Sequence, residues 1–292
     1  MLIDRKQLKE LIPVIAAQRK FRPAIVEKDY YLTVILNNIE SLLTDKIVFK
    51  GGTLLNKIHL NYHRLSEDLD FTYRSTGGLE TRSQRSRAIG PIRDRMPEFL
   101  QVLGLKSSKP DGEGFNNSTQ YLFSIQYPSA VTAKEENINL EISLRQLPLE
   151  APVRCTIKHF YQDPFSGADL IPMHSVWALS FLEAVAEKLK AAIARKDVAV
   201  RDYYDAWHIA EAGFDFFQDK FIRLFKTKLA NDDYHGDFRH NFGLDAERIA
   251  LLDRQIHTDL IPVIRAGEQF NLKLVFEKFN DIFANTNYSL EI

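Results

Sequence analysis

The segment KIVFKGGTLLNKIHLNYHRLSEDLDFTY (46–73) constrains the fold more than any other part of the chain. Residues 46–50 form a short apolar run that stops at Gly51-Gly52, as a buried strand does. TLLNKIHL (53–60) reads as a helix with Thr53 near its start. DLDFTY (68–73) alternates and carries aromatic residues, so it reads as a second strand. Side chains two apart on a strand share a face, which sets the Asp68 and Asp70 carboxylates side by side. Two such anions repel unless a cation lies between them. Mg²⁺ suits hard oxygen ligands and commonly takes one or two carboxylates, completing its shell with phosphate oxygens and water. Glycines let a backbone approach a ligand closely. The start of a helix offers unpaired N–H groups to a phosphate, and Thr53 adds a hydroxyl. A phosphate cradle next to a metal clamp implies handling of a nucleoside triphosphate.

The other elements fall around this unit. Residues 5–20 and 27–43 read as helices. Residues 80–103 are helical in pattern, with Pro91 and Pro97 expected to break or kink them. Residues 107–118 read as a loop. QYLFSIQY (120–127) and NINLEISLR (137–145) read as strands able to pair, and 154–160 as a weaker strand. After about residue 165 the character changes. Residues 176–196 read as one long helix, 201–213 as another ended by Gly213, and the rest to about 285 is mostly helical. The expectation is an α+β fold: a mixed sheet with flanking helices in a core over 1–165, then a helical domain over 166–292 that contributes to the active-site cleft.

Composition excludes several classes. With 38 Lys and Arg against 39 Asp and Glu, bulk charge does not make this a protein that coats nucleic acid, although a local basic groove remains open. A single cysteine, Cys155, rules out an intramolecular disulfide and a cysteine-built zinc site. The charged start lacks a signal-peptide core, and no run of eighteen apolar residues occurs, so a cytoplasmic protein with no membrane span is expected.

Within NINLEISLR, Ile138, Leu140, Ile142 and Leu144 form one face and Asn139, Glu141 and Ser143 the other. If that strand lies beside the one carrying Asp68 and Asp70, three carboxylates could hold two Mg²⁺ ions, one for the attacking hydroxyl and one for the triphosphate.

A Gly-Gly-Thr turn followed by a D-x-D strand resembles the DNA polymerase β-like nucleotidyltransferase superfamily. More particularly, VEKDYYLTVIL (26–36), FKGGTLLNKIHL (49–60) and RLSEDLDF (64–71), followed by EKL (187–189) and RDYYD (201–205), resemble the AbiEii/MenT family of nucleotidyltransferase toxins from type IV-like toxin–antitoxin systems. The resemblance implies a nucleotidyltransferase fold. It places Gly51, Gly52 and Thr53 at the phosphate turn, and Asp68, Asp70 and Glu141 at the metals. Aspartate is more usual than glutamate at the third position. The resemblance also puts Lys188 on the triphosphate and Asp205 or Asp202 in the last acidic motif. The implied reaction transfers NMP from an NTP to an RNA acceptor such as the tRNA 3′ end, blocking translation. A cognate antitoxin is implied as a partner. Asp202 and Asp205 share a helix face, and a salt bridge from Arg201 is an alternative role for Asp205.

Other readings stay open. The acceptor could be a protein or a small molecule, or the fold could be catalytically silent and serve for binding. A glycosyltransferase also uses D-x-D, but the preceding βαβ region is missing. Arg82, Arg85, Arg87, Arg93 and Arg95 form one basic cluster that could meet RNA, and Lys220, Arg223, Lys226 and Lys228 a second, interleaved with Phe217, Phe221 and Phe225. Glu27-Lys28-Asp29 reads as a charged helix start, and His59 and His63 as helix surface.

Overall fold

The computed structural model describes residues 3–75 and 77–288. The chain folds as two compact units, Met1–Leu179 and Ser180–Ile292.

The first unit opens with helices α1 (Arg5–Arg19) and α2 (Pro23–Asn38), the latter prolonged by a wide turn over Ile39–Leu43. Helix α2 starts four residues before the sequence pattern predicts, because Pro23 fits the first helical turn, where its missing N–H costs nothing. Strand β1 (Ile47–Lys50) runs directly into the short helix α3 (Gly51–Leu54), continued by a π-type turn over Leu55–His59. Strand β2 (Leu69–Tyr73) and helix α4 (Arg82–Val102) follow. Strands β3 (Glu113–Phe115), β4 (Gln120–Pro128), β5 (Glu135–Ser143), β6 (Val153–Thr156) and β7 (Ser175–Ala178) complete the unit. All seven form one mixed sheet in the order β3-β4-β5-β2-β1-β7-β6. β1 pairs antiparallel with β2 and parallel with β7, while β2 pairs parallel with β5. β4 and β5 pair antiparallel over nine residues each.

Sheet alternation makes the core. Along β4 every second residue is buried, and Phe123, Ile125, Ile138, Leu140 and Ile142 are fully enclosed. Val48, Phe49, Leu69 and Phe71 bury the central strands, with the Phe49 and Phe71 rings 5.5 Å apart.

Three sequence expectations need correction. Pro91 and Pro97 do not break α4, which is one helix of 21 residues. Each proline removes one backbone bond, but both lie on the exposed face where water can satisfy the freed carbonyls. The buried stripe Ile89, Ile92, Met96 and Phe99 runs past both and holds the helix against the unit. The predicted loop 107–118 contains the short edge strand β3. The predicted helix 176–196 is a strand and then a helix: Ser175–Ala178 is β7, and the helix α5 spans Phe181–Ala194. Ser180 caps α5 by accepting from the Glu183 N–H.

The second unit continues with α6 (Val200–Glu211), α7 (Asp219–Ala230), α8 (Ala246–Gln255) and α9 (Leu272–Phe283). Gly213, at φ +78°, stands in the left-handed conformation that ends a helix. The core of this unit is aromatic: Phe221, Phe225, Phe238, Phe242, Phe279 and Phe283 are buried, with Phe238 edge to face with Phe225 and Phe283, and Phe225 stacked on Phe221 and Phe283. Among the described residues no helix is long and apolar enough to cross a membrane.

Candidate active site

The β1–α3 turn and the D-x-D strand are built against each other. Gly51 adopts φ +76°, a conformation that side-chain-bearing residues rarely take. A Cβ there would lie 2.2 Å from Asp70 Oδ2 and 2.9 Å from Asp70 Cβ, so the Asp70 side chain occupies the space a second side chain would need. Gly52 is equally confined, because a Cβ on it would meet an Arg64 Nη atom at 2.5 Å and Ser66 Oγ at 3.2 Å. Thr53 is buried, and its hydroxyl donates to the Asp68 carbonyl at 2.5 Å. That bond fixes the turn to the backbone of the first aspartate.

Pairing across the sheet adds the third carboxylate. Lys50 stands opposite Asp70 in β1 and β2, and Asp70 stands opposite Glu141 in β2 and β5. Residues opposite one another on adjacent strands project to the same face about 5 Å apart. Asp68, Asp70 and Glu141 are all half-buried, which leaves their carboxylates partly open to solvent beside an enclosed core. Among the described residues no three His, Cys, Asp or Glu side chains converge as a ready-made metal cage. The half-buried carboxylates of Asp68 and Asp70 suit an ion such as Mg²⁺, which takes one or two carboxylates and draws its other ligands from phosphate and water.

Residues that the sequence left without a chemical role brace this turn. Glu27 and Asp29 do not form a charged surface at a helix start; both are buried on α2. Glu27 accepts from Ser129 Oγ and from the Ala130 and Val131 N–H groups. Asp29 receives the Lys57 ammonium at 2.8 Å, and the Tyr161 hydroxyl at 2.9 Å. Lys57 is fully enclosed and also donates to Thr33 Oγ1 at 2.8 Å. Burial pushes its ammonium below the usual lysine range, and the Asp29 carboxylate opposes that shift. Lys57 lies on the π-type turn that continues α3, so the ion pair ties α2 to the helix that begins at the glycines. Arg64, buried against Gly52, was likewise not singled out from sequence. The one signal for it was its position four residues before Asp68 in RLSED, which periodicity alone does not interpret. His63 is buried and His59 half-buried, so neither is plain helix surface; burial, helped by the Lys158 charge, brings the His59 imidazole down to about 4.

In the second unit, Lys188, Asp202 and Asp205 come together. The Lys188 ammonium pairs with Asp202 at 2.8 Å and with Asp205 at 2.9 Å, and Arg195 reaches Asp202 at 3.1 Å. Lys188 and both aspartates are buried, and Asp205 is wholly enclosed. The two late sequence motifs thus form one charge cluster, α5 supplying the lysine and α6 the acids. Lys228, placed by sequence in the second basic cluster, is also buried and pairs with Glu183 at 2.7 Å and Glu187 at 2.9 Å. Phe221 and Phe225 belong to the core, so that cluster is an amphipathic helix and not an exposed basic strip.

A family model described as nucleotidyl transferase AbiEii toxin, type IV TA system, matches residues 34–285. The chain belongs to the AbiEii family. AbiEii proteins are nucleotidyltransferase toxins, so this chain is an enzyme of the nucleotidyltransferase class. Among solved structures, the chain is similar to MenT4, the nucleotidyltransferase toxin Rv2826c from Mycobacterium tuberculosis H37Rv. The two share 18% identity and a TM-score of 0.62 over 97% of this chain and 90% of that one. It also matches JHP933 from Helicobacter pylori at 14% identity and a TM-score of 0.49, over 92% of this chain and 93% of that one. The MenT4 likeness shows the nucleotidyltransferase fold, as the sequence predicts. No curated protein sequence matches the chain.

Proposed function

We propose that this AbiEii protein is a Mg²⁺-dependent toxin that transfers NMP from an NTP to an RNA acceptor, with the 3′ end of tRNA as the first candidate. The observation that carries the reading is the packing of Asp70 on Gly51, with Glu141 beside Asp70 in the sheet. It brings the glycine turn at the start of α3 and the carboxylates of Asp70 and Glu141 into one small region. The backbone N–H groups of Gly51, Gly52 and Thr53 start a helix and bind the triphosphate oxygens. Asp68 and Asp70 would hold the metal, and Glu141, opposite Asp70 in the sheet, would stand beside it as a further carboxylate. When bound, Mg²⁺ supplies charge neutralisation on the phosphates and lowers the cost of deprotonating the acceptor hydroxyl. The acceptor oxygen attacks the α-phosphorus, the bond to the β-phosphate bridging oxygen breaks, and pyrophosphate leaves. The chain's contribution is alignment and charge placement, without a covalent intermediate.

Lys188 is the proposed triphosphate cation, with Asp202 and Asp205 orienting its ammonium. For RNA, the cations available in the first unit are narrower than the arginine cluster suggests. Arg85, Arg93 and Arg95 donate to backbone carbonyls of Asn117, Asp111 and Leu43. Arg82 and Arg87 are exposed and, with Ser83 and Ser86, form one open face at the start of α4 that could meet a phosphate backbone. A toxin of this family implies an antitoxin that counters it in the cell.

The test uses purified protein, Mg²⁺, total tRNA and each radiolabelled NTP in turn, with Asp70→Ala as control. Label in a tRNA-sized band that disappears in the control is the expected result. Label on protein instead would move the acceptor, and equal label with Asp70→Ala would overturn the site.

A further inference from the structure

The second unit contains a cavity of about 630 Å³ that the transferase reading does not use. Its walls come from α6, α8, the segment before α9 and the first turn of α9. Four aromatic rings gather there. Phe270 meets Tyr204 edge to face at 5.4 Å, Tyr204 lies 4.5 Å from the His208 ring, and Trp207 sits beside them on α6. The Trp207 ring already receives a cation, the Lys278 ammonium, 5.3 Å from its centre.

The wall carries two carboxylates against one lysine. The carboxylates are those of Glu268 and Asp253. Burial would raise the Glu268 carboxyl, but bonds from His208 and Tyr204, together with the His208 and Arg265 charges, outweigh it and hold the group below its usual range, so it stays ionised. Both partners reach the same oxygen: the Tyr204 hydroxyl donates to Oε1, and His208 Nε2 stands 3.5 Å from Oε1. Asp253 is exposed and in no ion pair among the described residues. The one lysine on the wall, Lys273, lies 3.6 Å from Glu277.

We infer that this cavity binds a small organic cation, an amine or guanidinium joined to a short hydrocarbon. A phosphate or carboxylate ligand would face two carboxylates on the wall against one lysine, Lys273, which itself lies beside Glu277. A bare metal ion finds no three converging ligands here. Aromatic rings with ionised carboxylates suit a delocalised or alkylated cation, and Leu272 and Leu274 offer a surface for its carbon chain. The same chemistry is carried by a free polyamine and by an arginine or lysine side chain of a partner protein.

Calorimetric titration of the full chain with spermidine, agmatine and N-acetyl-arginine amide tests this, with MgCl₂ and a neutral diol of similar length as references. Saturable one-site binding is expected for the organic cations, weakened at least tenfold by Glu268→Gln and by Asp253→Asn. Asp253 is exposed, so its variant keeps the test valid should Glu268→Gln disturb the fold. Tighter binding of the arginine amide assigns a protein side chain, and tighter binding of spermidine or agmatine assigns a free amine. Heats that match MgCl₂ at equal charge, that both variants leave unchanged, or that are absent would overturn the inference. Nucleotide transfer is read separately, and its loss or survival does not bear on the outcome.

Discussion

Replacing Gly51 by alanine separates backbone strain from displacement of the Asp70 carboxylate. Gly51 stands at φ +76°, and forcing an L-residue into this region costs about 1–2 kcal/mol. Gly213 stands at φ +78°, with nothing within 4 Å of a built Cβ. Gly213→Ala therefore reports strain alone, and Gly51→Ala reports strain plus collision. The collision is large: ordinary contact begins at 3.4 Å, against 2.2 Å for Asp70 Oδ2, a shortfall of 1.2 Å. Asp70 Cβ and Cγ are also both at 2.9 Å, so a rotation of the carboxylate alone does not relieve it. Misplacing a catalytic group by about 1 Å costs roughly 100-fold in rate, or about 2.7 kcal/mol in the barrier. Gly213→Ala should lose about 1–2 kcal/mol in urea unfolding, and Gly51→Ala more than that, because the collision with Asp70 adds to the strain. Only Gly51→Ala should lose about 100-fold in kcat/KM for NTP transfer to RNA. Transfer by Gly51→Ala within about threefold of wild type would refute the idea that this contact positions Asp70.

The buried brace behind the turn should behave as an enclosed ion pair. Asp29→Ala leaves the Lys57 ammonium uncompensated and should cost about 3–5 kcal/mol, whereas Asp29→Leu with Lys57→Met should recover most of it. A cost under about 1 kcal/mol for Asp29→Ala in urea unfolding would contradict this. His59 titrates near 4 when folded, against 6.5 unfolded. The unfolded state therefore binds more protons between those values, and stability is full above 6.5 and falls as pH drops towards 4. The loss is at most about 3 kcal/mol, and a His59→Gln difference curve that shows no pH dependence across that window would remove the effect. Lys188→Met should raise the NTP KM and also lower stability, because Asp202 and Asp205 lose their shared cation. Unchanged KM with lowered stability would leave the lysine a purely structural role.

Much of the site was legible because it is local. The strand–glycine–helix–strand order follows from a change of hydrophobic period within 28 residues, and strand alternation places Asp70, while Asp68 lies one residue before β2. The boundary at β7 was not legible by periodicity, since VWAL can continue an alanine-rich helix as well as form a buried strand. A signal was present in Ser180 and Glu183, the spacing of a helix cap, and the hydroxyl does cap α5. The Pro91 and Pro97 expectation failed for a related reason: a local penalty was set against a buried stripe that only the folded unit supplies.

The glycine turn, the place of Asp70 on its strand and the family could all be read from the linear chain, because each depends on neighbours within a few residues. Folding in three dimensions was needed to set Glu141 opposite Asp70, to bring Asp29 to Lys57, and to share Lys188 between Asp202 and Asp205. Strand register and buried ion pairs join residues far apart in the chain. Their energies depend on which surfaces lose water together, and a charged residue reads the same in sequence whether it is solvated or enclosed.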